Sequence, residues 1–152
     1  MIDGVQFKEL VTHPDRRGFF REILRKTDGI MTDGFAQLSH SLMYNGVTKA
    51  WHWHRKQTDL WYVPIGVLRV GLHDQRVDSP TRGESMDFLM GENQPPQVVR
   101  IPPGVIHGCQ TVQSPAHLFY VTSQTYNPDD EMRVAYDDPT IGFDWLSGPP
   151  IK

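Results

Sequence analysis

Apolar residues come in short runs rather than at helical spacing, and glycine or proline separates nearly every run from the next. The runs are rich in aromatic and β-branched residues, and many alternate with polar positions. That pattern predicts strands over Val5–Leu10, Gly18–Leu24, Phe35–Leu42, Val47–His54, Leu60–Val63, Val67–Asp74, Ser85–Leu89, Gln97–Ile101, His107–Thr111, His117–Thr122 and Phe143–Trp145. Only Glu22–Met31 has helical potential, and it is short. Many short strands with dense turn punctuation predict an all-β sandwich or barrel. Alternation along Val47–His54 also has a chemical consequence. It projects His52 and His54 from one face and leaves Trp51 and Trp53 on the other.

With 152 residues, no internal repeat and no linker, residues 1–152 are expected to form one domain. A net charge of -3 without any basic run argues against a nucleic-acid polymer as partner. The amino terminus lacks a cationic, apolar leader, and no apolar run approaches the about 20 residues that span a bilayer, so a cytoplasmic protein is expected. Cys109 is the only cysteine, which excludes an internal disulfide and a cysteine-rich zinc motif.

The chemistry concentrates between Gly46 and Gly66, where His52, His54 and Asp59 lie close together, and in Ile101–Gly108, IPPGVIHG, which supplies His107. Three imidazoles and a carboxylate are a plausible shell for a divalent transition metal such as Zn, Fe, Mn, Ni or Cu. The plainer reading is that one or two of these histidines only hydrogen-bond backbone at a barrel mouth. The spacing of the first segment resembles the first cupin motif, with Asp59 where glutamate is usual. The second segment resembles the second cupin motif through Pro102, Gly104 and His107, although Pro96 and Thr111 replace its glycine and asparagine. The resemblance implies a cupin-type jelly-roll barrel.

A second resemblance covers nearly the whole chain. DRRGFFRE (Asp15 to Glu22), FAQLSHS (Phe35 to Ser41), GVTKAWH (Gly46 to His52), IPPGVIHG, LFYVTSQTYNPDDE (Leu118 to Glu131) and DDPTIGFDW (Asp137 to Trp145) resemble, in order, segments of the dTDP-4-dehydrorhamnose 3,5-epimerase family. The resemblance implies a nucleotide-activated 4-keto sugar as substrate and no required cofactor. His52 would be the general base, Tyr120 the acid on the opposite face, and His107 a second active-site histidine. It places Arg17, Glu22, Gln37, Lys49 and Tyr126 at the substrate, with Lys49 near the diphosphate. It also implies a homodimer whose amino-terminal strands help complete the partner's site.

The chain departs from the family at its catalytic supports. Asp59 stands at or near the family's lysine, which faces the developing oxyanion, and His54 stands at a glutamine. Val70 replaces one aspartate, and the carboxyl-terminal aspartate that orients the base falls past the last residue. Proton removal beside a carbonyl builds an enolate that needs a facing donor or cation. A metal at His52, His54, Asp59 and His107 would supply one, but a ligated His52 has no free nitrogen to act as base. A metal-dependent cupin enzyme (dioxygenase or sugar isomerase) and a non-catalytic sugar-nucleotide-binding barrel are therefore alternatives to the epimerase. The acidic run Asp129–Glu131 reads as a solvated turn, Cys109 as inert, and His40, His73 and His117 as structural or solvent-facing.

Overall fold

The structure, a computed structural model, describes residues 1–147. Ten strands follow one another: β1 Gln6–Glu9, β2 Thr12–Asp15, β3 Gly18–Arg21, β4 Gln37–Met43, β5 Thr48–His54, β6 Asp59–Asp74, β7 Ser85–Gly91, β8 Gln97–Ile101, β9 Val105–Thr122 and β10 Glu131–Arg133. β2 and β3 form a separate hairpin, and the other eight make one antiparallel sheet. The all-β expectation holds.

Two long strands turn that sheet into a jelly roll. β6 and β9 pair along their whole lengths, from Asp59 opposite Thr122 to Asp74 opposite Val105. On its other edge, β6 gives its first residues to β8 and its last to β7. β9 likewise gives its first half to β5 and its second half to β4. One layer is therefore β1, β8, the start of β6, the end of β9 and β4. The facing layer is β7, the end of β6, the start of β9, β5 and β10.

The bend in β6 falls where the register shifts between Tyr62 and Leu68. Gly66 sits there at φ +70°, and a Cβ on it would lie 2.3 Å from the Pro115 carbonyl oxygen, so only glycine fits. Gly66 and the Gln113–Ala116 bend break the alternation, which is why β6 and β9 each read from sequence as two strands. They are continuous. β2 and β10 fall outside the strands read from sequence because neither carries an apolar run. Of the helical potential in Glu22–Met31 only a 3-10 turn, Gly29–Met31, forms.

Leu68, Val70, Leu72, Val99 and Val105 are completely buried in the main core. A smaller cluster of Trp51, Ile106 and Trp145, with Phe143 against it, packs the outer face of β5. The strand expected at Phe143–Trp145 does not form. Arg69 holds this segment instead: it donates to the Asp144 carbonyl (2.9 Å), pairs with Asp87 (2.7 Å) and lies 4.9 Å above the Phe143 ring. No helix among the described residues is long and apolar enough to cross a membrane.

Candidate active site

A cavity of about 580 Å³ opens between the two layers. Gln37 and Ser41 on β4, Asp59 and Trp61 on β6, and Tyr120 near the end of β9 line it from one layer. His107 and Cys109 at the start of β9, Lys49, His52 and His54 on β5, and Glu131 and Arg133 on β10 line it from the other. Lys49 and His52 have opposite strand parity, yet both line the cavity because the β5–β9 register shifts between them. That bulge presses on the neighbouring strand: a Cβ on Gly108 would meet the Ala50 Cβ at 2.6 Å.

The histidines divide into two environments. His52 is half-buried, and its Nδ1 lies 3.4 Å from the Glu131 carboxylate, which also faces Arg133 at 3.6 Å. A carboxylate only accepts, so it favours the tautomer with the proton on Nδ1 and the lone pair on Nε2. Burial, with help from the Arg133 charge, holds the His52 pKa below its ordinary value, so the ring is neutral near pH 7.

Deeper in, His54 Nδ1 donates to the Asp130 carbonyl at 3.1 Å and His107 Nδ1 to the Val105 carbonyl at 3.1 Å. Burial pushes the His107 pKa down to about 4 against the attraction of Asp59. Both rings thus carry lone pairs on Nε2. One donor atom each from His54, Asp59 and His107 falls within 4.8 Å of the others. Asp59 is also held by Trp61 Nε1 (3.1 Å) and by the Gln57 side chain (2.7 Å). Of the four residues expected around a metal, His52 is not part of this group of converging donor atoms.

Among the other expected residues, Tyr120 lies opposite Ser39 and Trp61, in the layer facing His52. Gln37 accepts the Tyr126 amide at 2.9 Å, fixing that residue at the cavity mouth, and Lys49 donates to Ser41 Oγ at 2.8 Å. Arg17 and Glu22 stand apart. Arg17 pairs with Asp15 at the tip of the β2–β3 hairpin and Glu22 with Arg25, and neither lines the chain's own cavity. Cys109 does line it, but burial pushes its thiol up to about 12, as expected of an inert cysteine.

The acidic run is the main correction. Asp130 is buried and accepts the backbone amides of Arg55 (2.9 Å), Lys56 and Gln57 (each 3.3 Å), which ties down the loop between β5 and β6. Glu131 supplies the carboxylate beside His52. The run forms part of the site's wall, and the polar–apolar–polar order of Glu131, Met132 and Arg133 was its one local signal for a strand.

The profile of the dTDP-4-dehydrorhamnose 3,5-epimerase family matches residues 1–152. The chain belongs to that family. It is 47% identical over 148 residues to the spore coat polysaccharide biosynthesis protein SpsL of Bacillus subtilis, covering 95% of this chain and 97% of that protein. It is 37% identical over 149 residues, 95% of this chain and 94% of the relative, to the probable low-salt glycan biosynthesis epimerase Agl13 of Haloferax volcanii. Among solved structures, a dTDP sugar isomerase from Desulfovibrio desulfuricans superposes with a TM-score of 0.90 at 29% identity, covering 98% and 95% of the two chains. The dTDP-6-deoxy-D-glucose-3,5-epimerase of Legionella pneumophila, in complex with dTDP-4-keto-L-rhamnose, gives 0.87 at 27% identity, covering 100% and 84%. These epimerase-family members share the jelly-roll fold expected from the cupin motifs.

Proposed function

We infer that the chain is an epimerase of a nucleotide-activated 4-keto sugar, removing a proton next to the ketone at carbon 3, carbon 5 or both. The observation that carries this reading is the His52–Glu131 pair at the cavity wall, with Tyr120 in the opposite layer. His52 Nε2 takes the proton and Glu131 steadies the imidazolium that forms, the role a carboxylate serves beside a catalytic histidine. Tyr120 returns a proton from the other face of the sugar, which inverts the carbon. Lys49 and Arg133 put positive charge beside the cavity, where it suits a diphosphate.

The same reading includes a homodimer. Val11, Phe19 and Phe20, on and beside the β2–β3 hairpin, are 62–67% exposed and leave it with apolar surface on both sides that a partner chain would cover. Arg17 and Glu22 serve the substrate only if this segment reaches a partner's cavity.

Incubation in D₂O with a dTDP-4-keto-6-deoxy sugar tests the activity. NMR should show deuterium entering carbon 3 or 5, and His52→Ala should stop it. Tight binding of dTDP without any exchange would instead make the protein a binding barrel.

A further inference from the structure

We propose that His54, Asp59 and His107 form a binding site for one divalent first-row transition-metal ion, with His52 outside it. The three donor atoms converge within 4.8 Å from three strands, His54 at the end of β5, Asp59 at the start of β6 and His107 near the start of β9, each held before any ion arrives. His54 and His107 spend their Nδ1 protons on the backbone carbonyls of Asp130 and Val105, which aims the two Nε2 lone pairs into the cavity. Outer hydrogen bonds of this kind orient metal-binding imidazoles. Trp61 Nε1 orients Asp59 in the same manner.

The Gln57 side chain shows what these atoms attract. Its amide nitrogen donates to Asp59 at 2.7 Å and lies 3.3 Å from His54 Nε2, so polar hydrogens face two of the three donors. Those hydrogens are where a cation's positive charge would fall. Two imidazoles and a carboxylate suit zinc, iron, cobalt or manganese, and they are too few oxygens for calcium or magnesium.

When bound, such an ion acts as a Lewis acid toward a carbonyl oxygen, and it brings positive charge to the position where Asp59 replaces the family's lysine. His52, turned toward Glu131, keeps its Nε2 for proton transfer. The site shares the cavity of the epimerase reading, but its test does not depend on that chemistry.

The full chain, freed of metal with EDTA, is titrated with Zn²⁺ by calorimetry, and circular dichroism and melting curves check the fold of each variant. One ion per chain should bind and raise the melting temperature. His54→Ala and Asp59→Asn should each weaken binding by at least about 100-fold, the upper end for losing even an indirect support. His52→Ala should bind Zn²⁺ within a few-fold of the parent chain, and Mg²⁺ should not compete. If Asp59→Asn fails to fold, the half-buried His54 still decides the question. Absence of saturable binding, binding that survives in folded His54→Ala, or binding lost in folded His52→Ala would each overturn the proposal, whether or not the protein exchanges deuterium.

Discussion

His52 and His54 are two residues apart on one face of one strand, yet they sit in different chemical settings. His52 turns its Nδ1 to a carboxylate that also faces an exposed arginine. His54 turns its Nδ1 to a backbone carbonyl and shares a deeper pocket with His107 and Asp59. A carboxylate partner raises the gain from protonating the ring, whereas a neutral carbonyl only fixes its direction. The same side chain is thus suited to moving a proton at one position and to presenting a lone pair at the other. The partner on Nδ1, and not the His-x-His spacing, decides which.

Removing each partner in turn separates the two settings. The largest effect is expected from His52→Ala, which should cut deuterium exchange by about 10²–10⁴-fold, the usual contribution of a positioned general base. Glu131→Gln keeps an acceptor near His52 Nδ1 but removes the charge. Exchange at saturating substrate should then fall by about 10–100-fold, less than the roughly 10⁴-fold loss when a buried orienting aspartate is replaced, with KM little changed. Neither substitution should disturb His54 or His107.

Asp130→Ala tests the structural side. It removes the acceptor for the Arg55, Lys56 and Gln57 amides and should cost about 1–3 kcal/mol, seen as a lower melting temperature. The loop it frees carries Gln57, so the His54 setting should loosen more than that of His52. The smallest effect is expected at Lys49, which is exposed and hydrogen-bonded to Ser41. Lys49→Ala should raise KM for the nucleotide sugar a few-fold, the more so at low salt, and leave the melting temperature almost unchanged.

Most of this site was legible because strand parity is local information. Once Val47–His54 is a strand, His52 and His54 must share a face, and β5 places both in the cavity. Tyr120 and Gln37 followed from resemblance and line the same cavity. What escaped was nonlocal. Glu131 acquires its role only because β10 pairs with β5, placing Arg133 opposite His52 and Glu131 opposite His54. In the sequence, an acidic run after a proline looks like a solvated turn. Trp145 failed differently: its apolar neighbourhood suggested a strand, but Arg69 and side-chain packing hold it without a ladder. Arg17 and Glu22 make only local pairs, with Asp15 and Arg25, and lie away from the cavity of this chain.

The division between the histidines can be read directly from the imidazole nitrogens. Long-range ¹H–¹⁵N NMR of the full chain, before and after Zn²⁺, reports which ring nitrogen carries the proton and which one the ion takes. All three rings should be protonated on Nδ1 and bare on Nε2, and Zn²⁺ should displace the Nε2 signals of His54 and His107 while that of His52 keeps its place. A His52 Nε2 signal that moves with the other two, or His54 and His107 rings bare on Nδ1, would contradict the separation of proton transfer from metal binding.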